Sequence, residues 1–77
     1  MEGLEALRRE IDAIDSMILD LLRRRMEVCR KIKLYKIHNG LPLRDEAREA
    51  EVLSRAEPFT NIFQEIIRSC REVEAAV

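Results

Sequence analysis

No proline and no glycine falls between Leu4 and Asn39, and across that stretch apolar side chains recur at Leu4, Leu7, Ile11, Ile14, Ile18 and Leu21, then at Val28, Ile32 and Tyr35. The steps alternate three and four, which is a sustained heptad stripe on one helical face. Asn39-Gly40 followed by Pro42 supplies a stop, so the pattern predicts one helix from about residue 3 to about residue 38. At ~1.5 Å per residue such a helix is ~50 Å long. A compact globule of 77 residues has a radius of gyration of only ~11–12 Å. A second chain must then cover much of the stripe, and dimerisation is expected from geometry.

The rest of the chain supports an all-α protein. It holds only 2 Gly and 2 Pro, with 4% aromatic residues, and is poor in the residues that make turns and strands. Pro42 forces extended backbone before it, and Asp45 or its neighbour can cap a short second helix ending near Arg55. After Pro58, Thr60 or Asn61 can cap a third helix of medium length, with Ile62, Phe63, Ile66, Ile67, Cys70 and Val73 on one face. No repeat or linker divides the chain, so residues 1–77 read as a single domain. A domain of this size buries only about 60% of its unfolded surface, which again favours a partner.

Several classes are excluded. The net charge is −1, without the bulk electropositivity of a nonspecific nucleic-acid binder. Arg23, Arg24 and Arg25 point to successive faces and no aromatics interleave. The longest apolar runs, such as Met17-Ile18-Leu19, are too short for a membrane span or a signal-peptide core, and the chain reads as cytoplasmic. Cys29 and Cys70 lie far apart without a CxxC, and the single His38 completes no familiar zinc spacing with them. Neither a disulfide nor a metal is expected.

The stripe breaks in one place. Four residues after Leu21 and three before Val28 the position is Arg25. An unpaired buried guanidinium costs several kcal/mol, so it faces either a glutamate of another helix or a bound anion, unless it snorkels to the surface. Lys36 follows three turns later at ~3.6 residues per turn, on the same side and ~16 Å further along. Arg8 lies ~25 Å before Arg25, too far to share one small pocket within a chain, although Arg8 of an antiparallel partner can close the site. Taken singly, Arg8 and Lys36 are ordinary solvated charges. On the third helix, Phe63, Ile67, Cys70 and Glu74 follow steps of four, three and four. Glu74 is therefore either an acid on an apolar face, where desolvation favours a neutral, donating carboxyl, or a solvated residue in a frayed last turn.

With these breaks located, the chain resembles the all-helical, AroQ-type chorismate mutases. The resemblance rests on Leu7-Arg8-Arg9-Glu10-Ile11-Asp12-Ala13-Ile14-Asp15 with Leu21-Leu22 and Arg25, and on Lys36 followed by Gly40-Leu41-Pro42-Leu43-Arg44-Asp45. Arg48-Glu49 and Ile62-Phe63-Gln64-Glu65-Ile66-Ile67 complete it, so it covers nearly the whole chain. It implies an intertwined helical homodimer that converts chorismate to prephenate, on the route to phenylalanine and tyrosine, without a cofactor. Carried over by position, Arg25 binds one substrate carboxylate and Arg8 of the partner chain binds the other. Lys36 donates to the ether oxygen and a carboxylate, Arg48 supports the pocket, and Asp45 and Glu49 hold the hydroxyl end. Glu74 falls where the family has a Gln or Glu that hydrogen-bonds the ether oxygen.

Three departures from the family pattern matter. The connection from Ser54 to Asn61 is about three helical turns shorter than usual, a whole number of turns that keeps the remaining faces in phase. Cys70 stands where Ser or another polar residue is common, and a thiol is a poor donor. Glu74 in place of Gln donates only when protonated. Two other readings compete: an isochorismate-pyruvate lyase on the same scaffold, and a noncatalytic dimerisation or regulatory module in which Arg25 is a specificity device.

Overall fold

A computed structural model describes residues 3–76, and among them every regular element is helical: α1 (Leu4–His38), α2 (Glu46–Ser54) and α3 (Thr60–Ala76). α1 holds 35 residues and closes as the sequence predicts. Gly40 adopts φ 64°, the left-handed conformation that a residue without Cβ takes at no steric cost. Its N–H donates to Ile37 O at 3.3 Å and the Leu41 N–H donates to Lys36 O at 2.8 Å, which satisfies two of the last free carbonyls. Asp45 caps α2, its Oδ1 accepting from the Arg48 N–H at 3.0 Å. The start of α3 differs from expectation by one position. The helix already includes Thr60, and Phe59, not Thr60 or Asn61, supplies the first carbonyl, accepting from the Phe63 N–H at 3.1 Å.

α3 packs against both α1 and α2 and bridges them. The buried apolar groups are few: Cys29, Val52, Ala56 and Ile67, joined by Lys33. Along α3 the predicted apolar face is largely realised, with Phe63, Ile66, Cys70 and Val73 half-buried, but Ile62 stays exposed. On α1 the result is less expected. α3 does not sit on the heptad stripe; it meets Cys29 and Lys33, about 100° round from Val28 and Ile32. The stripe is left open from end to end, with Leu4, Ile11 and Leu21 among its exposed members. The molecule measures 57 × 24 × 15 Å with a radius of gyration of 16.2 Å, well above the ~11–12 Å of a compact chain this long.

Cys29 and Cys70 form a disulfide, with their Cα atoms 5.8 Å apart across the α1–α3 interface. This corrects the expectation of no disulfide. The two residues are 41 apart in sequence, and spacing rules recognise only local cysteine motifs. A fold that lays α3 back along α1 brings them within bonding range. By the loop-closure estimate a bridge of this span stabilises by about 4 kcal/mol. No described helix is long and apolar enough to cross a membrane.

Candidate active site

Where the C-terminal half of α1, the 39–45 loop, α2 and α3 approach one another they enclose a cavity of about 370 Å³. Helical periodicity positions its first wall, because Arg25, Cys29, Ile32 and Lys36 are spaced by whole turns along α1. The Arg25 guanidinium is half-buried and its Nη1 lies 3.8 Å from Cys29 Sγ. The Lys36 ammonium donates to the Leu43 carbonyl at 2.7 Å, which ties the loop to the helix. An ammonium carries three donors, so this anchor leaves donors for a ligand.

The opposite wall comes from the loop and α2. Asp45, Arg48 and Glu49 all line the cavity, together with Arg44. Glu49 is held from two sides, by Arg44 Nε at 3.5 Å and by Arg71 Nη2 at 3.9 Å. Arg48 is more exposed and pairs with Glu51 at 2.6 Å. Asp45 spends one carboxylate oxygen on the α2 cap. α3 closes the cavity with Ile67, Cys70, Arg71 and Glu74. Glu74 is half-buried, with Oε1 3.5 Å from Cys70 Sγ, and its backbone carbonyl accepts a hydrogen bond from the buried Lys33 Nζ.

Seven of the eight residues singled out in the sequence therefore surround one cavity. Arg8 does not. It sits on the exposed N-terminal half of α1, 3.5 Å from Glu5, consistent with its ~25 Å axial distance from Arg25. Cys70 lines the cavity as a disulfide sulfur, so the weak thiol donor expected there has no S–H to give. Three further residues were not anticipated. Arg44 and Arg71 brace Glu49, and Arg71 was hidden because it lies one residue off the apolar face of α3. Lys33 is four residues beyond Cys29, a spacing that signals a shared face only once Cys29 is known to be buried.

The cavity collects five basic side chains (Arg25, Lys36, Arg44, Arg48 and Arg71) against three acids (Asp45, Glu49 and Glu74). The local surplus of positive charge contrasts with the chain's net −1 and favours a small anion. Cys29, Cys70 and Glu74 place three possible metal-ligand atoms within 4.8 Å of one another. Bonded to each other, the sulfurs are not thiolates, so the trio as folded does not fit a cation.

The chain as a whole resembles several known proteins. The family described as chorismate mutase type II matches residues 7–75. The chain is 43% identical over 94% of its length to a 3-dehydroquinate dehydratase of Pyrobaculum aerophilum, covering 24% of that protein. It is 32% identical over its whole length to a bifunctional chorismate mutase/prephenate dehydratase of Aquifex aeolicus, covering 25% of that protein. It thus spans about a quarter of each of these relatives. A 4-amino-4-deoxychorismate mutase of Streptomyces venezuelae is 40% identical over 69% of the chain and 52% of that protein. Among solved structures, a conserved hypothetical protein from Pyrococcus furiosus superposes with a TM-score of 0.89 at 42% identity, covering 92% of this chain and 93% of the other.

Proposed function

Because the chain belongs to the chorismate mutase type II family, we propose that it is an isomerase that converts chorismate to prephenate. The observation that carries this reading is the convergence of Arg25, Lys36 and Glu74 on one cavity with a cationic surplus. Chorismate is a dicarboxylate, and its rearrangement breaks one C–O bond and makes one C–C bond in a single concerted step. Neither a nucleophile nor a proton transfer is needed. The protein has to hold the reactive conformer and stabilise the negative charge that develops on the ether oxygen.

In this mechanism Arg25 clamps one carboxylate and Arg8 of a second copy clamps the other. The open heptad stripe supports that partner, since Leu7, Ile14 and Ile18 beside Arg8 are exposed apolar residues at coiled-coil spacing. Lys36 and Glu74 face the ether oxygen, and a donor to it is worth roughly 3 kcal/mol, or two orders of magnitude in rate, by comparison with other preorganised donors. Asp45 and Glu49 accept from the substrate hydroxyl. Arg44 and Arg71 fix the Glu49 carboxylate for that role, and Arg48 supports the same wall.

The test is chorismate disappearance with product identification, on wild type and Arg25→Ala. Prephenate formation that Arg25→Ala abolishes while helicity is unchanged is the expected result. A folded dimer that leaves chorismate untouched overturns the proposal in favour of a noncatalytic module. Isochorismate and 4-amino-4-deoxychorismate belong in the same assay, the latter because a relative is named for it. Glu74→Gln, which keeps an amide donor at that position, should retain turnover, whereas Glu74→Ala should lose it.

A further inference from the structure

The geometry points to the Cys29–Cys70 disulfide as a brace that positions Glu74 over the cavity, and whose reduction slackens the site; this rests on the catalytic reading of Glu74 above. Four observations converge on it. The bridge joins α1 to α3 inside the cavity wall, and Cys70 lies one i,i+4 step from Glu74. Glu74 Oε1 stands 3.5 Å from Cys70 Sγ, while Arg25 Nη1 stands 3.8 Å from Cys29 Sγ, so the cross-link touches a cation on one helix and the acid on the other. Among the described residues, the buried side chains of α1 and α3 are Cys29, Lys33 and Ile67, and Cys29 is part of the bridge itself. Finally, the next anchor beyond the bridge is the Lys33 bond to the Glu74 backbone carbonyl, which holds the main chain and leaves the carboxyl to be aimed by its neighbours.

The cross-link is reversible by ordinary thiol chemistry. A dithiol such as dithiothreitol attacks one sulfur as its thiolate, the S–S bond breaks, and the departing cysteine sulfur keeps the electron pair and takes a proton. The second thiol of the reagent then closes on the mixed disulfide and frees the other cysteine. The protein gains two thiols and the reagent is oxidised to its cyclic disulfide. Cys29 is buried, but Cys70 borders the cavity and offers a small reductant its way in. Once the bond is gone, α3 is free to shift and roll relative to α1, and the carboxyl of Glu74 loses its fixed line to the reacting oxygen. Arg25 and Lys36, both on α1, keep their places.

The experiment measures kcat and KM for chorismate on the oxidised and the dithiothreitol-reduced protein, each checked for thiol content and helicity, in wild type, Cys29→Ser/Cys70→Ser and Glu74→Ala. Reduction is expected to lower kcat about tenfold, with KM changing less than about threefold, as misplacing one group of a preorganised site does. The double serine variant should match the reduced protein whether or not reductant is present. In Glu74→Ala, reduction should leave kcat nearly unchanged, because the group being positioned is already gone. Equal losses on reduction in wild type and in Glu74→Ala would overturn the positioning role and leave the bridge a stabilising link only. Hydrogen exchange of α3 amides gives a reading that does not depend on turnover. Faster exchange confined to residues 67–76 on reduction is expected even if chorismate proves not to be the substrate, and unchanged exchange with both thiols titrated overturns the brace.

Discussion

The two halves of α1 carry the same heptad pattern and meet opposite fates. From residue 25 onward the helix has α3 laid along one side, a buried cysteine and lysine, and a cavity lined with cations. Residues 7–21 are all exposed, Leu7, Ile11, Ile14 and Ile18 with them. The apolar stripe is thus not what decides burial within the chain. The C-terminal half receives α3 on a different face while its stripe positions Arg25, Val28 and Ile32 border the cavity, and the stripe from Leu4 to Leu21 remains exposed. A stripe of this length left open in a single chain is what an intermolecular seam requires. In the function proposed above, the site half of α1 supplies the chemistry, and the bare half offers the surface through which a second copy delivers Arg8.

The sharpest way to test this division is to remove chemistry from the packed half. Lys36→Ala should lower kcat by about 10²–10³-fold with helicity retained, since it deletes a donor to the developing charge. A loss under fivefold would take Lys36 out of the mechanism. Next in size is a complementation test of the bare half. Arg8→Ala and Arg25→Ala should each be inactive alone, whereas unfolding and refolding them together should restore about a quarter of wild-type activity, from mixed dimers with one intact site each. No recovery on mixing would mean that Arg8 does not cross between copies.

A smaller effect tests what holds the packed half together. Reduction of the Cys29–Cys70 bridge should lower stability by roughly 2–4 kcal/mol in a denaturant titration, with the loss recovered on reoxidation. Smaller still is the exposed triad on the outer face of α3. The Arg68 guanidinium is raised above its ordinary value, first by its hydrogen bond to Glu65 and then by the charges of Glu65 and Glu72. The side chain is exposed, so Arg68→Ala should leave both the melting temperature and kcat within error. A clear loss of activity there would extend the site beyond the cavity.

Much of this molecule was legible in its residues. Punctuation by Asn39-Gly40, Pro42, Asp45 and Pro58 bounded the three helices, and Asp45 caps α2 as its chemistry suggests. Arg25 could be singled out because a cation interrupts an otherwise apolar series, and Lys36 because it repeats the phase of Arg25. Lys33, Arg71 and the disulfide were not legible. Each depends on which face of α1 receives α3, and the heptad stripe pointed to the wrong one for contacts within the chain.

What the sequence by itself determined is whatever depends on neighbours a few residues away: helix limits, caps, and the phase of each charge on its own helix, because backbone hydrogen bonding makes these local. What only the tertiary structure decided is the rotation of α3 against α1, which pairs Cys29 with a cysteine 41 residues distant, brings Glu74 to the cations of α1, and leaves the apolar stripe uncovered. The physical reason is that periodicity fixes which residues share a face but not which faces meet, and that choice is made by packing summed over the whole chain.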